Sequence, residues 1–171
     1  MHILIAEDHP INQKVIAKLL SRLGNCTVSI VGDGQQALDY LTGPQATCPR
    51  PDLILMDTAM PIMDGLTATH ILRTSPPFAS NPSIATIPIV ALTASAIEHE
   101  QEGFRARGFD DVLSKPIFSG KLKGLLEFWG RSRVVLLPGP GGPGAGAGVV
   151  RRIVTGPPAE GVRGYRAKSI I

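Results

Sequence analysis

A chain of 171 residues, 43% hydrophobic and 18% charged, can bury a core without covalent staples, and Cys26 and Cys48 are too few for a disulfide framework and lack CxxC spacing. No stretch approaches the ~20 apolar residues of a membrane-spanning helix, and MHILIAEDHP meets carboxylates too early for a secretory leader. The net charge of +3 does not point to nucleic acid: residues 1–130 carry ten Lys/Arg and thirteen Asp/Glu (net −3), and residues 131–171 carry seven Lys/Arg and one Glu (net +6).

In chain order, His2–Ala6 is an apolar run suited to a strand. Pro10–Leu23 follows with Ile11, Val15, Ile16, Leu19, Leu20 and Leu23 on one helical stripe, Pro10 in its first turn and Gly24 at its end. Cys26–Val31 alternates like a strand, and Asp33-Gly34 opens a helix to Leu41 with Ala37, Leu38 and Leu41 inward. Leu53–Met56 is a strand, after which Asp64 caps a helix to about Leu72. Ile87–Leu92 is a strand, 96–107 a helix, Asp111–Leu113 a short strand, and Phe118–Trp129 a helix with Leu122, Leu125, Leu126 and Trp129 on its apolar stripe. Five strands alternating with five helices, the strands apolar on both faces, specify an α/β fold with a parallel sheet covered on both sides. Gly43–Pro51 and Arg73–Thr86 are long connections rich in Pro, Ser and Thr, expected as surface insertions.

Residues 1–130 form the expected domain. From 131 the chain turns into PGPGGPGAGAG and scattered arginines, a low-complexity basic tail with too little apolar surface to offset its ordering entropy.

In open α/β sheets ligands gather at the carboxyl ends of the strands. Here those ends carry Glu7 and Asp8, then Asp57, then Thr93, then Lys115 followed by Pro116. With strand order 2-1-3-4-5, three carboxylates, a hydroxyl and an ammonium converge. Each alone is unremarkable, since acids after strands are usually solvated loops; the convergence is the signal. Clustered carboxylates call for a cation among them, and oxygen ligands of this kind suit Mg²⁺. An aspartate beside Mg²⁺, with lysine and threonine in reach, is equipped to take a phosphoryl group as an acyl phosphate. His9 lacks a second ligand at metal-binding spacing, and Asp33-Gly34 reads as a turn and cap.

On IAED, LILMDTAMPIMDG, IVALTA and GFDDVLSKPI, residues 2–130 resemble the receiver (response-regulator) domain of two-component phosphorelays. The insertions and the ALTA-type run look most like receivers of fungal hybrid histidine kinases. The resemblance implies a flavodoxin-like (βα)5 fold of order 2-1-3-4-5, with Asp57 as phosphoacceptor. It implies Mg²⁺ held directly by Asp8, through water by Glu7, and by Asp57 and the Ala59 backbone carbonyl. Thr93 becomes the switch hydroxyl, Lys115 the partner of Asp57 or its phosphoryl group, and Lys115-Pro116 a cis bond.

Implied partners are a histidine kinase or a histidine phosphotransfer protein, docking over the first helix near Ile11, Asn12 and Val15. Neither a membrane nor nucleic acid is implied, and the expected location is the cytoplasm or nucleus. One departure is Val112, where the family often carries an aromatic ring that moves with the threonine. Met1 directly precedes the first strand, which fits a free-standing receiver or a fragment of a hybrid kinase.

Two other classes compete. Phosphatases of the haloacid-dehalogenase type also use an aspartate after a strand, but need a second Asp two residues on, where this chain has Ala59. A pseudo-receiver, acting as a phosphorylation-independent interaction module, would not need the full set Glu7, Asp8, Asp57, Thr93 and Lys115.

Overall fold

The computed structural model describes residues 1–24, 26–94 and 98–131, with only the backbone of 98–101. The basic tail expected from 131 lies, but for Arg131, outside the described residues, as does the start of the helix expected from 96. The chain divides into two units, Met1–Leu122 and Lys123–Ile171.

Five parallel strands, β1 (His2–Ala6), β2 (Thr27–Val31), β3 (Leu53–Asp57), β4 (Ile89–Thr93) and β5 (Asp111–Ser114), form one sheet in the order β2-β1-β3-β4-β5. This is the expected doubly wound topology. Between strands run α1 (Pro10–Leu23), α2 (Gly34–Thr42), α3 (Gly65–Thr74), a short α4 (Pro82–Ala85) and α5 (Glu98–Ala106), and α6 (Ser119–Arg131) follows β5. Short polar residues start several of them: Asp33 accepts from the Gln36 N–H, Asp64 from Thr67 and Asn81 from Ser83. Within the second unit, the Phe128 and Trp129 rings meet edge-on with centroids 5.1 Å apart.

Every residue of β3 and β4 is buried, as central parallel strands require. Leu4, Ala6, Ile54, Met56, Ile89 and Ala91 share a core with Ala37, Leu38 and Leu41 of α2 and Ala68 and Leu72 of α3. The alternate residues Ile3, Ile5, Leu53, Leu55, Val90 and Leu92 point the other way and are equally buried. Each large side chain so enclosed contributes about 1.5–3 kcal/mol.

Three expectations change. The α1 stripe is narrower than its periodicity suggests: Ile16 and Leu20 are buried, but Ile11 is 65% exposed and Val15 47%. The β4 ladder starts at Ile89 rather than Ile87, because Pro88 has no N–H to give and contributes only its carbonyl, to the Ile54 N–H. The 73–86 connection is not simply a surface insertion. It forms α4, and Phe78 and Ile84 join the core, so its apolar residues outweigh its Pro/Ser/Thr content.

The 43–51 connection is tied down too. The Tyr40 hydroxyl donates to the Pro49 carbonyl (3.0 Å) and meets Ser29 Oγ (2.9 Å) and His2 Nε2 (3.0 Å), while Arg50 donates to the Leu41 carbonyl. Both long connections lie at the amino ends of the strands, leaving the carboxyl ends to shorter loops.

In the loop after β3, Ile62 has φ 66°, and the Met63 N–H closes on the Pro61 carbonyl at 2.7 Å. A β-branched residue in this left-handed region is strained, and Ile62, 87% exposed, gains no burial in return. Ile62→Asn is expected to raise the unfolding free energy by about 1 kcal/mol. Urea denaturation of the two proteins would show it, and an unchanged or lower midpoint would mean the turn carries no strain.

Candidate functional site

At the carboxyl end of β1 the chain continues into Glu7 and Asp8, and opposite them β3 ends on Asp57. Parallel register places Asp57 beside Leu92, one residue before Thr93 at the end of β4, and Thr93 beside Ser114, one residue before Lys115. Strand order alone therefore gathers Glu7, Asp8, Asp57, Thr93 and Lys115, the set expected from sequence. Asp57 and Thr93 are the last residues of their strands rather than the first of the loops.

Glu7 is fully buried, Asp57 and Thr93 are buried, and Asp8 is exposed. Lys115 Nζ lies 2.7 Å from Glu7 Oε2 and 2.5 Å from Asp57 Oδ2, bridging the two carboxylates. Its backbone is set by the Lys115 N–H donating to the Thr93 carbonyl at 2.7 Å and by the cis Lys115-Pro116 bond. Asp57 Oδ1 accepts the Ala59 N–H at 3.2 Å. Asn12, expected to face a partner, instead turns its amide inward and donates to Glu7 Oε1 at 2.8 Å. Gly65 lets the loop return tightly, since a Cβ there would fall 2.0 Å from the Asp57 carbonyl oxygen. Val112, at the position noted for lacking an aromatic ring, is partly buried against the core.

Burial pushes the Asp57 carboxyl above its ordinary value, and the Lys115 hydrogen bond, the Ala59 N–H and the Lys115 charge only partly offset it. Burial alone would lower Lys115, but its hydrogen bonds and charge contacts with Asp57 and Glu7 outweigh this and raise it above 10.5. One ammonium thus does not fully compensate the acids.

Oxygens of Glu7, Asp8 and Asp57 all lie within 4.8 Å of one another. Hard oxygen donors, a carboxyl raised by burial and an exposed Asp8 that completes the set fit a divalent cation of the Mg²⁺ kind.

Replacing the ammonium exposes its role. Lys115→Met is expected to lower stability by about 2 kcal/mol at pH 7, less than for a fully buried pair because Lys115 is 22% exposed. A lysine raised on folding contributes fully below its unfolded value near 10.5 and loses that contribution as pH rises through the folded value. The difference between the two proteins in urea should therefore hold from pH 7 to 9 and shrink beyond about 10.5. A difference unchanged at high pH would assign it to packing.

The "Response regulator receiver domain" family model matches residues 3–127. Hybrid signal transduction histidine kinase I of Dictyostelium discoideum is 41% identical over 115 residues, which are 67% of this chain and 6% of that protein. The chain thus spans a small part of this curated relative. Among solved structures, the receiver domain of sensor histidine kinase PA1611 from Pseudomonas aeruginosa, with magnesium coordinated in its active-site cleft, is 36% identical with a TM-score of 0.60. That alignment covers 75% of this chain and 95% of that one. The Saccharomyces cerevisiae co-crystal of the histidine phosphotransfer protein Ypd1 with the receiver domain of its downstream response regulator Ssk1 matches at 28% identity and a TM-score of 0.63. Here 76% of this chain and 88% of the matched one are covered.

Proposed function

Because the chain belongs to the response-regulator receiver family, we propose that it accepts a phosphoryl group on Asp57 from a phosphohistidine partner and relays the signal. The observation that carries this is Asp57 at the tip of β3, with Oδ2 on Lys115 and Oδ1 on the Ala59 N–H, beside Glu7 and Asp8. An Asp57 oxygen attacks phosphorus as the P–N bond breaks. The electron pair passes to the ring nitrogen, and the donor imidazole, protonated on its other nitrogen, leaves neutral.

Glu7, Asp8, Asp57 and the Ala59 carbonyl would hold Mg²⁺, which when bound offsets charge on the phosphoryl oxygens. Lys115 pairs with one of those oxygens, and the Thr93 hydroxyl donates to another. The acceptor is stoichiometric rather than a turnover enzyme, with slow self-hydrolysis of the acyl phosphate. The donor is a histidine kinase or a histidine phosphotransfer protein that docks over the exposed Ile11 and Val15.

We assign residues 1–130 to the receiver and 131–171 to a separate basic extension on composition, and the protein to the cytoplasm or nucleus. No described helix is long and apolar enough to cross a membrane.

The test is to incubate the full chain with acetyl phosphate and Mg²⁺ and weigh it intact. One added phosphoryl group is expected, absent with chelator and lost in mild alkali. No adduct from acetyl phosphate or from a phosphorylated histidine phosphotransfer protein would overturn the assignment and favour the phosphorylation-independent module.

A further inference from the structure

We propose that Asn12 is a positioning residue that holds the Glu7 carboxylate in the orientation the divalent-cation site needs. This rests on the Mg²⁺-dependent phosphoacceptor function proposed above.

Glu7 is fully buried and has three side-chain rotors, so its carboxylate requires fixed partners to hold one orientation. Its two oxygens are treated differently. Oε1 accepts the Asn12 amide at 2.8 Å and the His9 N–H at a long 3.4 Å. Oε2 is ion-paired to the Lys115 ammonium at 2.7 Å. Lys115 is also committed to Asp57 at 2.5 Å and is called on by any phosphoryl group that Asp57 carries. Asn12 is therefore the close partner of Glu7 whose contact does not depend on the state of Asp57.

The first turn of α1 offers a built-in comparison. Gln13 donates its side-chain amide to the Glu7 backbone carbonyl at 2.7 Å, supporting the same segment without touching the carboxylate. If Asn12 only stabilised the start of α1, the two residues would be interchangeable in effect. If it orients Oε1, only Asn12 bears on the cation.

Mg²⁺ titrated by calorimetry into the unphosphorylated full chain separates these cases. Asn12→Ala is expected to weaken Mg²⁺ binding about tenfold with little change in thermal midpoint, the scale on which residues that orient metal ligands act. Gln13→Ala should leave binding within about twofold, well below that scale. Asn12→Leu keeps the side-chain volume without the amide; should Asn12→Ala fail to fold, the same selective loss in this variant supports the proposal. Wild-type Mg²⁺ binding that is unchanged in the Asn12 variants, or lost equally in Gln13→Ala, overturns it. A wild-type chain that binds no Mg²⁺ overturns the cation site itself, and the role of Asn12 with it.

Discussion

Asp57→Asn is expected to take up no phosphoryl group and yet to resist urea better than the wild type at neutral pH. Loss of the adduct follows from nucleophilicity: a neutral amide oxygen does not attack phosphorus as a carboxylate does. The gain in stability follows from burial. The folded state holds the Asp57 carboxyl above its unfolded value, burial being the first cause and the Glu7 charge a further one. An acid raised in this way favours the fold when protonated and opposes it when ionised, so its penalty grows as pH rises through the folded value. The amide removes that penalty, and an increase of about 1 kcal/mol is expected at pH 7, shrinking toward acid. Mg²⁺ should narrow the gap, because a cation that binds only the folded wild type stabilises it by mass action. Urea curves of both proteins with and without Mg²⁺ provide the measurement. A mutant clearly weaker than wild type would show that the Lys115 contact outweighs burial.

Arg73→Met is expected to lower the unfolding free energy by about 3–5 kcal/mol, the usual result of breaking a buried ion pair from one side. From the last turn of α3, Arg73 Nε donates to the Gly108 carbonyl (3.0 Å), Nη1 to Ala85 (3.0 Å), and Nη2 to Ile87 (2.9 Å) and to Asp110 Oδ2 (2.9 Å). The same Asp110 oxygen accepts the Ile89 N–H at 2.7 Å, where Pro88 has delayed the β4 ladder. One guanidinium thus joins α3, the α4 segment and the turn before β5. Burial pushes Arg73 down to about 10, which still leaves it charged at pH 7. Methionine fills much of the space but leaves three carbonyls and a carboxylate without this donor. Arg73→Lys should recover only part of the loss, since an ammonium cannot reproduce the planar fork. A loss under about 1 kcal/mol for methionine would mean water or neighbouring groups replace the guanidinium readily.

Much of this was legible because the fold depends on period and punctuation. Short apolar runs marked β1, β3 and β4 in the sequence, and the residues at the carboxyl ends of these strands and of β5 marked Glu7, Asp8, Asp57, Thr93 and Lys115 as candidates. Other features were hidden because they depend on pairs far apart in the chain. Nothing local to Arg73 announces Asp110, and nothing in GFDD says that Gly108, at φ 97°, must be small because the Arg73 side chain would lie 2.6 Å from its Cβ. Asn12 sat on the expected contact face of α1, and only the turn of the chain after Glu7 brings its amide to the carboxylate. The 73–86 segment misled because its Pro, Ser and Thr hid Phe78 and Ile84, two residues too scattered to show a period.

The polarity of the sheet sorts the consequences of change. At the carboxyl ends of the strands, substitutions reach the reactive groups through short loops and alter what the protein does to other molecules. At the amino ends, where the two long connections are bound down through Tyr40, Arg50 and Arg73, substitutions alter how long the protein lasts. A comprehensive substitution map of this chain, scored separately for abundance and for phosphoryl acceptance, would split into two territories along the strand axis.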